Sequence, residues 1–394
     1  MNTPTTTTSP LSSSTGSRPE GPPGRTRRLS GRPQFYRTYG QQLALFNTRP
    51  KLIGVAGIVL VGMAMVFVLT DSMLQTLAIG FAFAIGALGL NIVTGLAGQV
   101  SLGHAFFLGV GAYTAAAISG DPEGRTIGFG ITNILVWLPA AGVVAGIAGI
   151  VIAPLATRLR GLYLAIVTLG LVFIGEHIFR EWSDLTGGSG VGREGAIPEL
   201  FGFEFVTSGD VFTGDQKLYL LTLVLLCVFA LGARNLARSR IGRSFAAVRD
   251  RDMAAEMMAI NLPRTKTLAF GISSFYAGCS GALIYSIIGF FEPSSFNLLL
   301  SVEIIAMVLI GGAGTVSGTI MGALFISLLP TLTRGLPAYV PFISAQVTDT
   351  PNIFQLESIL YGLLIVGFLL FEPRGLYGIW VRVRTYWKGW PFSY

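Results

Sequence analysis

Residues 234–266 read RNLARSRIGRSFAAVRDRDMAAEMMAINLPRTK and form a charged island in a sequence otherwise suited to lipid. Uncharged apolar runs flank this segment on both sides, at 218–233 and 267–291. Each run is long enough to provide most of one membrane crossing. A polar segment held between two membrane spans lies in water, and its sequence must therefore serve a partner or a task on that side of the membrane.

The composition assigns the chain to the membrane. Only 12% of the residues are charged, 52% are hydrophobic, and the mean hydropathy is +0.65. A soluble domain carries about 25% charged residues. Since a chain in lipid must satisfy its backbone hydrogen bonds internally, we predict an all-α polytopic membrane protein. Cys227 and Cys279 both lie in apolar runs, so no disulfide framework is expected.

The uncharged runs set the number of spans. Residues 72–120 contain no Asp, Glu, Lys or Arg, and a helix of that length is too long for one crossing of a core about 30 Å thick. We expect it to break near 95–104, and a second broken helix is predicted near 311–318. About ten transmembrane helices result, two from 72–120 and the others at 52–69, 131–153, 161–180, 217–234, 267–290, 298–312, 315–333 and 353–371.

The basic residues orient these spans. If ten spans cross the membrane in alternating directions, 22 of the 27 Lys and Arg residues lie on one side of the membrane. Basic residues concentrate in short cytoplasmic loops. We therefore predict a multi-pass protein of the plasma membrane with both termini in the cytoplasm. This distribution accounts for the net charge of +7 without nucleic acid as a partner.

The same assignment divides the chain into regions. Residues 1–36 are rich in Ser, Thr, Pro and Arg and are expected to be a disordered cytoplasmic tail. A transmembrane domain at 50–377 would carry the external loop 182–216, which holds six carboxylates, and the cytoplasmic loop 234–266. Residues 378–394 would form a basic cytoplasmic C-terminus.

A short motif occurs twice, at 95–101 and 311–317, in the form G-x-A-G-x-V-S. Both copies lie where a long apolar run must break, and broken helices in two halves of a transporter point to its translocation site. Since ten spans give both copies the same direction, no inverted repeat follows. The residues predicted for the pathway from these segments are Gly98, Gln99, Ser101, His104 and Gly314.

His104 and Glu303 are polar residues predicted within the membrane. We favour a structural role for His104, a hydrogen bond to a carbonyl that the broken helix frees, over substrate contact. Glu303 lies within a predicted span, and a carboxylate at that depth suggests a place in the pathway. The equal alternative places Glu303 near the outer surface, because Glu292 and Pro293 form a turn nearby. Neither histidine has a second ligand at metal-binding spacing, so no metal and no cofactor are predicted.

The island itself is expected to form one helix over 241–263, ending at Pro263. Ala246, Met253, Met257 and Ile260 would form an apolar stripe on it. Such a helix either lies on lipid headgroups or docks into a groove on a cytoplasmic partner. No Lys follows a Gly anywhere in the chain, so no P-loop is present and ATP would have to be bound by another chain.

The order of several motifs over 50–377 resembles the permeases of branched-chain amino-acid ABC transporters, most closely their M-type subunit. The matching segments are 88–91 (LGLN), 98–104 (GQVSLGH), 161–169 (GLYLAIVTL), 186–188 (TGG), 242–250 (GRSFAAVRD), 311–314 (GGAG) and 372–376 (EPRGL). Urea and short-chain amide permeases share these motifs and remain an alternative.

The resemblance implies a transport subunit without enzymatic activity. Its partners would be a second permease subunit, two cytoplasmic ABC ATPase subunits, an external solute-binding protein facing 182–216, and membrane lipid. The ATPase-coupling residues it implies are Gly242, Arg243, Phe245, Ala246, Arg249, Asp250, Glu256 and Ile260. The alternative from another class is an ion-coupled secondary transporter, which would rely on Glu303 and Glu357.

Overall fold

A computed structural model describes residues 49–159, 161–207, 212–333, 353–372 and 374–389. The predicted tail at 1–36 and residues 390–394 of the predicted C-terminus lie outside the described residues. In the part that is described, the chain is predominantly helical with very little sheet, as the composition predicts.

Fourteen α-helices and four two-residue strands follow one another along the described chain. The helices are α1 (Arg49–Ala64), α2 (Asp71–Asn91), α3 (His104–Ser119), α4 (Ile134–Arg158), α5 (Leu162–Glu181), α6 (Ser183–Thr186), α7 (Gly214–Arg238), α8 (Arg240–Asp250), α9 (Asp252–Met257), α10 (Leu262–Ile288), α11 (Leu298–Gly311), α12 (Val316–Thr333), α13 (Ile353–Phe371) and α14 (Gly375–Gly389). The strands are β1 (Arg193–Glu194), β2 (Glu199–Leu200), β3 (Phe203–Glu204) and β4 (Phe290–Phe291). β1 pairs with β4 and β2 with β3, both antiparallel.

Helices lie at all ten positions where the sequence predicts spans. Among the described residues, α2 with its extension to Leu96, α4, α5, α7 and α10 are long and apolar enough to cross a membrane. α1, α3, α11 and α12 are apolar but shorter. The all-α polytopic class is confirmed, while the number of crossings stays a prediction.

Two opposite ends of the helix bundle are defined by the loops they carry. We call the end with α8 and α9 the island face, and the end with residues 182–213 the loop face. α2 begins at the loop face, where Thr213 donates a hydrogen bond to Asp71, and it ends at the island face beside Arg249. α10 runs the other way, from the island to the β1–β4 pair at the loop face.

The predicted break near 95–104 is confirmed and takes the form of a re-entrant segment. α2 continues as a wider π-helical turn, Ile92–Leu96, and the next helix begins only at His104. His104 Nε2 lies 2.9 Å from the carbonyl oxygen of Gly86. Gly86 lies inside α2, ten residues before Leu96, so residues 97–103 return into the bundle and α3 starts in its interior.

A second re-entrant segment, which the sequence does not predict, joins α10 to α11. Residues 289–297 fold back from the loop face, and Phe296 packs against Tyr113 and Tyr285. Ser301 in the first turn of α11 then accepts a hydrogen bond of 3.0 Å from the backbone nitrogen of Ala105. The first turns of α3 and α11 therefore meet inside the protein.

These two re-entrant units are related by inversion. The order long helix, returning segment, short helix occurs as α2, 97–103 and α3, and again as α10, 289–297 and α11, with opposite directions. Inverted pairs of broken helices are a common construction of transporters. The relation does not join the two copies of the G-x-A-G-x-V-S motif, because the copy at 311–317 is a tight connection between α11 and α12 at the island face.

Candidate functional site

The island contains two helices, so the single helix predicted over 241–263 is wrong. Ser239 caps α8, its Oγ accepting from the backbone nitrogen of Gly242 at 3.2 Å. Arg251 then adopts an extended conformation (φ −159°, ψ 111°) and turns the chain into α9. α10 begins after Asn261, which caps it through the backbone nitrogen of Arg264.

The break at Arg251 has a physical cause that the sequence pattern does not contain. Asp252, the first residue of α9, forms an ion pair with Lys266, in which Oδ2 lies 3.0 Å from Nζ. The Lys266 side chain is almost completely buried. A buried ammonium needs such a partner, and the pairing holds the start of α9 against the first turn of α10. Lys266 is thus a structural residue that sequence reasoning missed.

The inner side of α8 is formed by Gly242, Phe245 and Val248, all of them buried. Phe245 and Gly242 are among the predicted coupling residues, and the structure places both against the bundle instead of toward a partner. A Cβ on Gly242 would lie 2.3 Å from the carbonyl oxygen of Leu236, which explains the glycine.

The other predicted coupling residues lie nearer the surface of the island face. Arg243, Asp250 and Glu256 are exposed, while Ala246 and Ile260 are half-buried. Arg243 Nη1 donates to the carbonyl oxygen of Arg238 at 3.1 Å. The predicted apolar stripe of Ala246, Met253, Met257 and Ile260 does not lie on one helix, because the break at Arg251 separates Ala246 from α9.

Three methionines are the most exposed large apolar side chains of the island. Met253, Met257 and Met258 are 75%, 89% and 78% exposed. We call these three residues the methionine surface. Unbranched, polarizable side chains of this kind adapt to the shape of a partner and are frequent at binding surfaces.

Arg249 lies between the island and the first re-entrant segment. Its Nη1 donates a hydrogen bond of 3.1 Å to the carbonyl oxygen of Gly95, at the end of α2. Nε and Nη2 of the same side chain both contact Asp250 Oδ1, at 3.2 and 3.1 Å. A Cβ on Gly98 would lie 2.7 Å from Arg249 Cγ, so the re-entrant backbone passes directly against this side chain.

The two G-x-A-G-x-V-S segments are in contact at the same place. Asn91 joins them: its Oδ1 accepts from the backbone nitrogen of Gly314 at 2.7 Å, and its Nδ2 donates to the carbonyl oxygen of Thr315 at 3.4 Å. A Cβ on Gly95 would lie 2.4 Å from the Gly314 nitrogen. Asn91 was not among the predicted site residues, although a polar residue inside an apolar run is a signal for such a role.

A cavity of about 390 Å³ opens beside this junction on the island face. Its lining combines the re-entrant segment with both island helices: Gly98, Gln99, Gly161, Val248, Arg249, Asp250, Arg251, Asp252, Met253 and Lys266. Gly98 and Gln99 are predicted pathway residues, and the structure places them at the end of the bundle that faces the island.

The remaining predicted pathway residues lie deeper. Ser101 is buried in the re-entrant segment, and the adjacent Leu102 nitrogen donates to Thr168 Oγ1 at 2.9 Å. His104 hydrogen-bonds a backbone carbonyl, as predicted, but one inside α2 instead of one at its broken end. Glu303 is half-buried in α11 and interacts electrostatically with Tyr285, away from the cavity. The side chain of Glu357 lies outside the described part of the chain.

The loop face carries an exposed aromatic tip on a firmly held hairpin. β2 and β3 are joined through Phe201 and Gly202, and Phe201 has a left-handed backbone (φ 50°) with its side chain 83% exposed. At the base, Thr132 donates to Glu199 and the Lys217 ammonium lies 4.6 Å from the Phe203 ring centroid. A bulky residue at positive φ is an outlier that suggests function.

Comparisons with known proteins agree with this architecture. The family model described as "Branched-chain amino acid transport system / permease component" matches residues 72–369. The LivM high-affinity branched-chain amino acid permease of Escherichia coli K12 is 30% identical over 346 residues, covering 84% of this chain and 75% of LivM. The LivH permease of the same organism is 24% identical over 315 residues, covering 78% of this chain and 95% of LivH.

A shorter similarity extends to a permease with a different name. The autoinducer 2 import permease LsrC of Enterobacter sp. is 35% identical over 117 residues, 28% of this chain and 34% of LsrC. No solved structure matches the chain.

Proposed function

The chain belongs to the branched-chain amino acid transport permease family, and we propose that it forms, with a second permease subunit, the membrane pathway of an ATP-driven importer for branched-chain amino acids. The substrate is inferred from the relatives named LivM and LivH. The observation that supports the mechanism is the contact between the island and the re-entrant segment through Arg249. A movement imposed on the island therefore reaches residues that enter the membrane.

The energy in this proposal comes from ATP bound to two partner ATPase subunits. The chain has no P-loop of its own, and the methionine surface is where an ATPase groove would receive the permease. A partner can drive the pathway only if it interacts differently with the inward- and outward-facing states. We place the island face in the cytoplasm, because the 234–266 island carries eight basic residues.

An external solute-binding protein is the proposed partner of the loop face. The Phe201 tip would insert into an apolar recess of that protein. Exposed carboxylates on this face, Asp184, Glu194 and Glu204 among them, would favour a partner with a basic rim. Reconstituted uptake of the Phe201→Ser variant should need several-fold more binding protein for half-maximal rate, with little change in the rate at saturation. An unchanged requirement would exclude the tip from docking.

Uptake into vesicles tests the function directly. The complete assembly, containing this chain, its permease partner, both ATPases and the binding protein, is expected to accumulate radiolabelled leucine only with ATP. Vesicles holding this chain alone should show no uptake above that of empty vesicles. Ion-gradient-driven uptake by the chain alone would contradict the proposal in favour of a secondary transporter, and ATP-driven uptake of urea without leucine would reassign the substrate.

The methionine surface makes a separate prediction about ATPase docking. Met257→Asp should weaken co-purification of the ATPase about tenfold or more, because burying an unpaired carboxylate costs at least the roughly 1.4 kcal/mol that this factor represents. Affinity capture of the ATPase at matched expression measures the effect.

Met73→Asp is the matched control for this change. Met73 is a partly exposed methionine near the start of α2, at the loop face, so the same substitution there should leave ATPase capture unchanged. Equal capture by Met257→Asp and the parent chain would favour the lipid-surface interpretation of the island.

A further inference from the structure

We propose that Arg249 is the positioning residue through which the island moves the re-entrant segment 97–103, so that its loss uncouples ATP hydrolysis from transport. This inference rests on the proposed function and adds the connection between the ATPase-driven part and the pathway. Three features of the structure support it: the acceptor that Arg249 uses, the way its side chain is held, and the contacts beyond it.

The acceptor is a carbonyl that the broken helix leaves open. Beyond the π-helical turn, Ala97 bonds back to Ile92 and Gln99 to Val93, whereas the carbonyl of Gly95 receives the Arg249 guanidinium. The last carbonyls of a helix lack partners within it and attract a cation. Arg249 supplies that cation from α8. The contact therefore links the island to the end of α2 and is not a cap within a single helix.

The Arg249 side chain, 42% exposed, lies between its own helix and the backbone of the re-entrant segment. Phe245 and Val248, on the same helix, are buried against the bundle. Asp250, 71% exposed, accepts hydrogen bonds from two nitrogens of the guanidinium. Gly98, with φ at +67°, brings the backbone against the Arg249 stem. A side chain at position 98 would displace the arginine, so the glycine serves this close approach.

Beyond Arg249, a continuous set of contacts leads to the centre of the bundle. The segment from Gly98 passes Leu102, whose nitrogen bonds Thr168 on α5, and ends at His104, which bonds Gly86. Ala105, the next residue, bonds Ser301 at the start of α11. A shift of Arg249 would therefore reach the point where the two half-helices meet.

The second G-x-A-G-x-V-S segment, 311–317, also lies beside Arg249. A Cβ on Gly314 would lie 3.8 Å from Arg249 Nη1, and Asn91 ties Gly314 to α2. Arg249 thus contacts the first G-x-A-G-x-V-S segment and borders the second. One side chain of the island is in a position to act on both.

The ratio of leucine taken up to ATP hydrolysed tests this role in the reconstituted assembly. Arg249→Ala should retain ATP hydrolysis within about twofold and lower the uptake ratio at least tenfold. Arg249→Lys should recover most of the ratio, because a single donor, Nη1, reaches Gly95 and an ammonium can replace it. A cap that only stabilises the fold would lower hydrolysis and uptake together and leave their ratio unchanged.

Arg240→Ala provides the control, since Arg240 is an exposed arginine at the first turn of the same helix and its loss should leave the ratio unchanged. If the Arg249→Ala protein fails to accumulate, Arg249→Gln, which is neutral but similar in size, is measured instead. It should show the same decrease in leucine taken up per ATP hydrolysed. A parental ratio in whichever of these variants accumulates would overturn the proposal. Absence of leucine uptake by the parent assembly would instead contradict the proposed function.

Discussion

Replacement of Gly281 by valine is expected to prevent accumulation of the folded permease, because no room exists for a side chain where α10 crosses α3. A Cβ at this position would lie 2.1 Å from the carbonyl oxygen of Leu108 and 2.8 Å from its Cα. These atoms are backbone, so relief requires α3 itself to move. Overpacking of a well-packed core typically costs about 1–3 kcal/mol and more where the backbone must shift, from a total stability of roughly 5–15 kcal/mol.

A second close contact between α3 and α10 explains why a small local movement of α3 does not make room for the valine. Gly111 on α3 meets Gly278 on α10 at 2.2–2.5 Å from a built Cβ, so both helices have glycine at the point of contact. Small residues at such crossings allow the helix backbones to approach closely in membranes. Movement of α3 would also disturb Ala105 and its bond to Ser301 at the meeting point of the half-helices.

Gly170→Val is the control for this prediction. Gly170 lies within α5, and nothing comes within 4 Å of a Cβ built on it. The same change of side chain should therefore alter stability little. Fluorescence-detected size-exclusion chromatography and thermal denaturation in detergent compare the two variants. A Gly281→Val protein with the parental elution profile and midpoint would show that the crossing is looser than the structure indicates.

The sequence predicts where the helices are but not which of them are incomplete. Apolar runs locate the ten helices predicted as spans, because lipid leaves the backbone few alternatives. The break after Leu96 follows from length alone. The re-entrant segment 289–297 cannot be predicted in this way. The apolar run before it is followed by Glu292 and Pro293, which is also how an ordinary surface loop begins. Only tertiary contacts, such as Phe296 with Tyr113 and Ser301 with Ala105, distinguish a re-entrant segment from a surface turn.

The island shows a similar limit for the candidate site. Helical periodicity places Met253 and Met257 on one face, and both are indeed on the outside. The periodicity also extends the helix through Arg251, where the ion pair between Asp252 and Lys266 turns the chain instead. That pair joins residues 14 positions apart, beyond the reach of helical patterning, which relates residues three or four positions apart.

Arg249 illustrates what a resemblance adds and what it leaves out. Its motif marks it as part of the coupling loop, and a contact with an ATPase would be the simplest expectation. The guanidinium instead lies on Gly95, 154 positions away in the chain. Because the acceptor is a backbone carbonyl and not a charged side chain, no charge pattern in the sequence identifies the pair.

Replacement of Arg193 by methionine is expected to lower the thermal midpoint by about 5 °C. About 3–5 kcal/mol is lost when a buried charged group is removed from its partners, and each kcal/mol shifts the midpoint of a 394-residue protein by roughly 1–2 °C. Arg193 is buried, and burial lowers the pKa of its guanidinium, an effect that Tyr113 partly offsets. Its nitrogens donate to three carbonyls, of Leu185 at 2.5 Å, Ala116 at 2.6 Å and Ile127 at 2.5 Å.

These carbonyls come from three separate segments, so Arg193 holds the loop face together. Ala116 belongs to the last turn of α3, where a cation also interacts favourably with the helix dipole. Arg193→Lys should fall between the parent and Arg193→Met, because an ammonium cannot span all three acceptors in the plane that the guanidinium occupies. Arg125→Met, which replaces an exposed arginine of the same face, is the control and should change the midpoint by less than about 1 °C. Equal midpoints for Arg193→Met and Arg125→Met would mean that water replaces the guanidinium at these carbonyls and that the loop face is held by β1 and β4 instead.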